Sequence, residues 1–280
     1  MSGISTTQTG AAGSQTVEYH PNDLIPTALI NTQTTFGAVI VGDAPAMNIP
    51  YVDTPPASQV VAEGEEIPDG GATMNTLVAH TRKIANIQAF SNEIANMGNN
   101  VQEQIVDAMA RSLTDKADAF FLQNNPTNDP NAPTGLFNTK GTVTADPIDT
   151  NLDPIVSAMA KVTINGGKPS SIILSPATWA KLLQLKYTDG RPMIDPTAAN
   201  SANPVLYGLP VVLNNQAPAN KILINSISEV MSAYGTVVCS STEDRYFDYD
   251  SMAIRQTFRI GWGVIHPNRL AIITLKEAQA

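Results

Sequence analysis

The spacing of apolar residues changes several times along the chain, and each change predicts a different kind of structure. Residues 1–35 are rich in Ser, Thr, Gln, Gly and Asn and show little periodicity. Such a segment cannot bury much apolar surface on itself, so we expect either disorder or an extended arm that is ordered by another surface. The stretches "FGAVIVGD" and "AMNIPYVD" then predict short strands that break at Pro45 and Pro50.

A β-hairpin loop is predicted around residues 54–73. Turn-forming residues stand at both ends of "TPPASQVVAEGEEIPDGGAT" (residues 54–73). Apolar and polar residues then alternate, with one slip, through "TMNTLVAHTRKIANIQAF" (residues 73–90), which is typical of one long strand. We therefore expect the outgoing strand of the hairpin to run into the body of the protein.

A long amphipathic helix is predicted over residues 100–124, where the apolar period becomes 3.6. Asn99 or Asn100 can cap its start, and Pro126 follows its end. At a rise of ~1.5 Å per residue the helix would be roughly 36 Å long. Its single apolar stripe consists of Val101, Ile105, Met109, Leu113, Ala117 and Phe120.

The second half of the chain predicts a compact mixture of helices and strands. Helices are expected in "NLDPIVSAMAKV" and "PATWAKLLQLK", with a buried strand, "SSIILS", between them. Further strands are expected in "VLYGLPVVLN" and "KILINSI", and the alternating stretch 251–275 predicts two or three antiparallel strands. The fold class that follows is α+β.

The charge of the chain is small in amount and uneven in distribution. Charged residues make up 15% of the 280 residues and apolar ones 42%, so partner subunits can cover much of the surface. Nearly all of the net charge of -9 lies in residues 1–81, which hold eight acids and no Lys or Arg. The sequence has no basic stripe to neutralise phosphates, which argues against sequence-specific nucleic-acid binding.

No recognisable catalytic or metal-binding constellation stands out in the sequence. His20, His80 and His266 lie far apart without the spacing of metal ligands, and Cys239 in "TVVCSST" predicts a buried, inert thiol. We therefore expect no cofactor and no catalysis. An α/β enzyme that combines His80 or His266 with Cys239 or an acid is one alternative, and a monomeric binding domain is another. The stretch "MSGISTTQTGAAGSQT" has neither the positive nor the apolar region of a signal peptide, and no apolar run reaches ~18 residues, so we expect neither a signal peptide nor a membrane partner.

Six segments, taken in order, carry a resemblance to a known family. They are "VVAEGEEIP", "HTRKIANIQAFSNEI", "DKADAFFLQNN" with "NAPTGLFN", "LSPATWAKLLQLKYTDGRPMI", "VLYGLPVVLNNQAP" and "IRQTFRIGWGVIHPNRLAIITL". Over roughly residues 36–275 the chain resembles the major capsid proteins of tailed bacteriophages, which have the Hong Kong 97-type fold. An encapsulin-like nanocompartment shell protein has similar motifs and stays open as an alternative.

The resemblance implies an icosahedral head shell of pentamers and hexamers of this chain around a double-stranded DNA genome, assembled in the host cytoplasm. The chain has no room for the N-terminal scaffolding domain of some members, so we expect either a separate scaffolding protein or a domain that was already removed. A portal, a decoration or cement protein and nonspecific contact with DNA are the other candidate interactions. The expected parts are an N-terminal arm with the first strands (1–49), an extended loop (50–76), a peripheral domain with the spine helix (77–146), an axial domain (147–248) and C-terminal strands that return towards the peripheral domain (249–280).

The resemblance also suggests a role for the acids of the extended loop. They would form salt bridges with basic residues of a neighbouring subunit, and the alternative is a loop that is only solvated. The acids are Glu63, Glu65, Glu66 and Asp69. The candidate partners are Arg82, Lys83, Arg111, Lys116, Arg255 and Arg259. Residues 50–76 contain no lysine, so the covalent crosslink that some members form through a loop lysine is not expected.

Overall fold

The computed structural model describes residues 14–96, 101–129, 131–194 and 204–276, and its mixed content confirms the α+β class. The helices are α1 (Pro21–Leu24), α2 (Leu29–Thr32), α3 (Asn92–Asn96), α4 (Val101–Gln123), α5 (Asp153–Ile164) and α6 (Pro176–Leu183). The strands are β1 (Ser14–Tyr19), β2 (Thr35–Val39), β3 (Ala46–Thr54), β4 (Thr73–Ser91), β5 (Val143–Thr144), β6 (Ser171–Leu174), β7 (Val205–Leu206), β8 (Leu209–Leu213), β9 (Lys221–Asn225), β10 (Val230–Tyr234), β11 (Val237–Tyr246), β12 (Ser251–Val264) and β13 (Ala271–Thr274).

The larger of two sheets has seven strands and is organised around β12. β12 pairs antiparallel with β4 from Ser251↔Ser91 to Gly261↔Thr81, and it also pairs antiparallel with β11 and β10. β1 extends the sheet beyond β11, while β2 runs parallel to β10. β4 is 19 residues long, and its first half pairs with β3 as a hairpin, as the alternation predicted.

Helix α4 packs on one face of this sheet. The predicted helix is confirmed over Val101–Gln123, whereas its predicted cap, Asn99 or Asn100, lies outside the described residues. Phe121 is fully buried, and Trp262 of β12 meets its ring edge-on at a centroid distance of 5.2 Å. Burial of the apolar stripe against β4 and β12 therefore stabilises a helix that is too long to depend on local propensity alone.

The second sheet has six strands in the order β5-β13-β9-β6-β8-β7, and its central strands β9 and β6 are buried on both faces. Ile172 and Leu174 of β6 lie in a core with Ile155 of α5 and Leu182 of α6. Ile173, which points the other way, lies in the core that α4 shares with the larger sheet. Burial on both faces explains why β6 appears in the sequence as an unbroken apolar run.

Two predictions for the first 54 residues are wrong in part. Residues 1–13 lie outside the described part, but Ile25, Leu29 and Ile30 are at most 2% exposed in the main core. The short run "LIPTALI" supplies enough apolar surface to pack on α4, and its polar surroundings concealed this signal. Pro50 does not break a strand, since β3 continues through it. Among the described strands β3 pairs only with β4, and such an edge strand tolerates a proline.

The pairing of three strands differs from the expected division of the chain. β10 and β11 fall in the range 147–248, which was expected to form the axial domain, yet they pair in the larger sheet. β13 falls in the range 249–280 and pairs with β9 and β5 in the second sheet, so the last strand does not return to the larger one. Alternation along a strand shows which residues face the core but not which strand lies beside it.

Candidate functional site: the extended hairpin and its charged surroundings

The hairpin of β3 and β4 packs on the body only at its root. Ile49 and Ala79 are buried in a small core there. From residue 52 to residue 76 every position is exposed, apart from the half-buried Val61 and Gly70. Asp53, at the end of β3, contacts His266 of the body. The loop 55–72 beyond it is a surface that packs on no other part of the described chain.

The four predicted loop acids lie in this outer part. All are exposed, and none forms an ion pair with another described residue. Asp69 accepts a hydrogen bond from the Gly71 N–H at 3.2 Å, which shapes the turn. Val60 and Ile67 stand beside the acids, and Ile67 is 81% exposed. The loop thus presents both acidic and apolar side chains. The four acids are Glu63, Glu65, Glu66 and Asp69.

Three of the six predicted basic partners are already paired with acids of their own chain. Arg82 donates to one oxygen of Asp129, from Nε at 2.9 Å and from Nη2 at 2.5 Å, and this bonding holds the pKa of Asp129 below its usual range. Arg259 Nη2 lies 2.9 Å from Asp43, and Lys83 Nζ lies 3.9 Å from the same carboxylate. Because Asp43 lies in the turn before β3, the last two contacts hold the base of the hairpin in place.

The other three predicted partners, Arg111, Lys116 and Arg255, are exposed and form no ion pair within the described ranges. Arg111 and Lys116 project from α4. Arg255 lies on the other face of the larger sheet, because its neighbour Gln256 is the residue that bonds to α4, through the Val106 carbonyl. The candidates therefore divide between two opposite surfaces.

Arg255 lines a groove of about 240 Å³ together with a second arginine, Arg245, which the sequence did not single out. Ile87 of β4 also lines it and is 48% exposed, and hydroxyl groups of β11 complete one wall. Arg245 stacks on its neighbour Tyr246, with the guanidinium carbon 5.3 Å from the ring centroid. Recognition of β11 and β12 as a hairpin would have placed the two arginines together.

A second charged cluster lies at the root of the hairpin. Glu229 is buried, with 9% of its side chain exposed, and it accepts a hydrogen bond from Arg269 Nη1 at 2.9 Å. His266 Nδ1 lies 2.8 Å from the other Glu229 oxygen, and His266 Nε2 lies 3.4 Å from Asp53 Oδ1 on β3. The Tyr51 ring is perpendicular to the imidazole at a centroid distance of 6.0 Å. His266 is thus partnered within its own chain by groups that the sequence did not indicate.

A buried acid joins three segments beneath α4. Asp118 accepts hydrogen bonds from the Leu29 N–H at 2.8 Å and from Asn214 Nδ2 at 2.7 Å. Burial raises the pKa of this carboxyl to about 6 in spite of both bonds. α2, α4 and the segment after β8 therefore meet at a group that changes charge in mildly acidic solution.

The groups considered for catalysis do not converge. Cys239 is half-buried in β11, and burial raises the pKa of its thiol to about 11. His20 lies at the start of α1, where it accepts a hydrogen bond from the Asn22 N–H at 3.3 Å. Within the described ranges there is no group of three or more His, Cys, Asp or Glu side chains that could hold a metal ion. None of the helices in those ranges is long and apolar enough to cross a bilayer.

Comparison with known proteins identifies the family. Residues 31–275 match the phage capsid family. The chain belongs to this family. It is a major capsid protein that associates with copies of itself in the shell of the virion, as its sequence motifs suggested. No curated protein gives a significant match to it.

Solved structures show the fold of this capsid protein. Gordonia phage Cozz shares 16% identity at a TM-score of 0.69 and covers 99% of this chain and 92% of its own. Microbacterium phage Oxtober96 shares 16% identity at 0.67, with coverages of 98% and 94%. The "Capsid of empty GTA particle computed with C5 symmetry" shares 14% sequence identity at a TM-score of 0.67, and the match covers 90% of each chain. The Hong Kong 97-type fold is therefore confirmed.

Proposed function

We propose that each copy of this capsid protein docks the acidic loop of its hairpin on the groove of Arg245 and Arg255 in a neighbouring copy. The observation that carries this proposal is a complementary pair of charged surfaces. The loop acids have no ionic partner among the described residues, and neither do the two arginines. Arg82 and Arg259 fit the role less well, because each is bonded to an acid of its own chain.

The apolar side chains support the same pairing. Ile67 and Val60 are exposed beside the loop acids, and Ile87 is exposed in the groove. Burial of apolar surface would supply most of the association free energy, while the charges would set the register of the contact. Each exposed ion pair contributes only ~0.2–1 kcal/mol, so the contact is weak singly and effective when it is repeated around a closed shell.

The test is a charge swap. Glu65→Lys with Glu66→Lys should abolish closed particles, because the loop would then meet arginines with lysines. Arg245→Glu with Arg255→Glu should do the same, and the quadruple variant should restore particles. Lys168→Glu, at an exposed lysine outside any ion pair of the described residues, is the matched control. Sizing chromatography and negative-stain imaging measure the outcome, with circular dichroism to verify folding.

Two results would count against this pairing. Normal particles from the loop double variant would mean that the acids are only solvated. Rescue of that variant by Arg111→Glu with Lys116→Glu, in place of the groove variants, would transfer the docking site to the exposed side of α4. Both results leave the shell function intact and change only the contact that closes it.

We also infer the wider setting of the shell from the family. The shell encloses double-stranded DNA through nonspecific contacts, takes its curvature from a separate scaffolding protein, and adds a portal and a decoration or cement protein, all in the host cytoplasm. The capsid protein has no catalytic role. Its parts follow the arm, loop, peripheral and axial division, except that β10 and β11 join the larger sheet and β13 joins the second one. Membership of a phage family favours this setting over an encapsulin-like nanocompartment. Expression of the capsid protein with and without the candidate scaffold gene product, followed by imaging of the particles, tests whether a separate scaffolding protein is needed.

A further inference from the structure

The imidazole of His266 lies between two carboxylates that belong to different parts of the molecule. Its Nδ1 faces Glu229 of the body at 2.8 Å, and its Nε2 faces Asp53 of the hairpin at 3.4 Å. A neutral imidazole carries one N–H and one bare nitrogen, so it can donate to only one of these carboxylates. An imidazolium donates to both. The geometry around this ring therefore suits the charged form.

We propose that His266 is a pH-sensitive latch: when doubly protonated it ties the root of the hairpin to the body, and when neutral it releases Asp53. The shorter contact determines which bond remains after deprotonation. The remaining proton stays on Nδ1, where Glu229 accepts it at 2.8 Å. The bare Nε2 then faces a carboxylate oxygen, and two acceptors at this distance repel each other.

The charges of the cluster support this assignment. The charged and titratable groups that face the ring are Glu229 from the segment before β10, Asp53 and Tyr51 from β3, and Arg269 from the segment before β13. With His266 charged, two carboxylates are balanced by one guanidinium and one imidazolium. With His266 neutral, the cluster keeps one uncompensated negative charge near the buried Glu229, which is unfavourable.

The hairpin, and not the body, is the part that would move. On the body side Glu229 is held by Arg269, whose Nε also donates to the Asn165 carbonyl at 2.9 Å. The Glu229 carbonyl accepts the Ile265 N–H at 2.9 Å. On the hairpin side Asp53 has 41% of its side chain exposed, and the chain beyond it is exposed as far as residue 76, apart from Val61 and Gly70. Loss of the Asp53 contact thus frees the outer hairpin while the anchor stays in place.

The latch acts within one chain, so its test does not depend on the proposed docking groove. Spin labels at Ser58→Cys in the loop and Ser112→Cys on α4, in a Cys239→Ser background, report the distance from hairpin to body. Labelled full-length chain is diluted with unlabelled chain so that distances between copies do not contribute. Double electron–electron resonance is recorded from about pH 5 to about pH 8, the range in which histidines titrate.

We expect a narrow distance distribution at the acidic end and a wider one at the alkaline end. Asp53→Asn should abolish this pH response, because an amide can donate to a bare Nε2 or accept from a protonated one. His266→Gln should abolish it as well, and the surface variant Asp146→Asn should retain it. Should His266→Gln fail to fold, the half-exposed Asp53→Asn still decides the matter. A parent distribution that is the same throughout the range, or an undiminished response in Asp53→Asn, overturns the latch.

Discussion

Strand β6 and the hairpin loop both carry isoleucines, and the two regions use them in opposite ways. Ile173 in β6 is 0% exposed and lies between two layers of the protein, whereas Ile67 in the loop is 81% exposed. Burial of an aliphatic side chain contributes roughly 1.5–3 kcal/mol relative to leaving it in water. The body obtains this free energy when the chain folds. The loop can obtain it only when a second surface covers it.

The same contrast applies to the acids. Asp118 is buried and hydrogen-bonded to two segments of its own chain, while Glu65 and Glu66 of the loop are exposed without an ionic partner in the described residues. Acids placed inside the body define how its segments meet. The loop acids have no ionic partner among the described residues of the folded chain. An exposed, partly apolar surface of this kind is a common mark of a protein–protein contact.

The largest effect is expected from truncation in the body. Ile173→Ala removes buried methyl and methylene groups from a position with no access to solvent, so it should lower the free energy of unfolding by ~2–5 kcal/mol. Chemical denaturation of the unassembled chain, followed by circular dichroism, measures this. A loss below ~1 kcal/mol would mean that the layers around β6 collapse to fill the cavity, and the contrast with the loop would then be much weaker.

The buried acid should make stability depend on pH. Its pKa of about 6 in the folded chain lies above the ordinary value of 3.8, so the folded state binds the proton more tightly. The stability that this proton binding contributes is fully present below pH 3.8 and is lost as the pH rises through about 6. Relative to Asp118→Asn, the free energy of unfolding of the parent should rise by on the order of 3 kcal/mol as the pH falls from about 7 to about 4.

Denaturant titrations of both chains at several pH values test this gain. Asp115→Asn is an informative control, because the Asp115 charge is a minor cause of the raised Asp118 pKa. This variant should retain the pH-dependent change in stability and should shift it slightly towards lower pH. Parallel pH profiles for the parent and Asp118→Asn would show that another group carries the dependence.

The elements that the sequence predicted well are those with a long local period. α4 and β4 each repeat their pattern over about twenty residues, and both were located almost to their ends. The run "LIPTALI" is too short for a period, so its place in the core could not be inferred. β13 was expected to return towards the peripheral domain with the other C-terminal strands, whereas it pairs with β9 and β5, because four residues do not specify which strand lies beside them.

The candidate site was predictable only where one segment contains it. The acidic loop is continuous in sequence, and its exposure was expected. The latch combines Asp53, Glu229, His266 and Arg269, which meet only because the hairpin root lies against the segment before β10 and the segment after β12. Likewise, the sequence could not show that Arg82 is already paired within its own chain, because its partner Asp129 is far away in sequence. Charge counts by segment do not contain such contacts.

The smallest effect on stability, and the most informative one, is expected from the loop. Ile67→Ala makes the same change as Ile173→Ala at a position without a partner, so the free energy of unfolding of the unassembled chain should change by less than ~0.5 kcal/mol. The yield of closed particles should nevertheless fall, because assembly would bury less apolar surface. Denaturation and sizing chromatography of the same preparation give both numbers. A loss of stability equal to that of Ile173→Ala would place Ile67 in the core of its own chain, and unchanged stability with unchanged particle yield would remove the loop's apolar side chains from the contact that closes the shell.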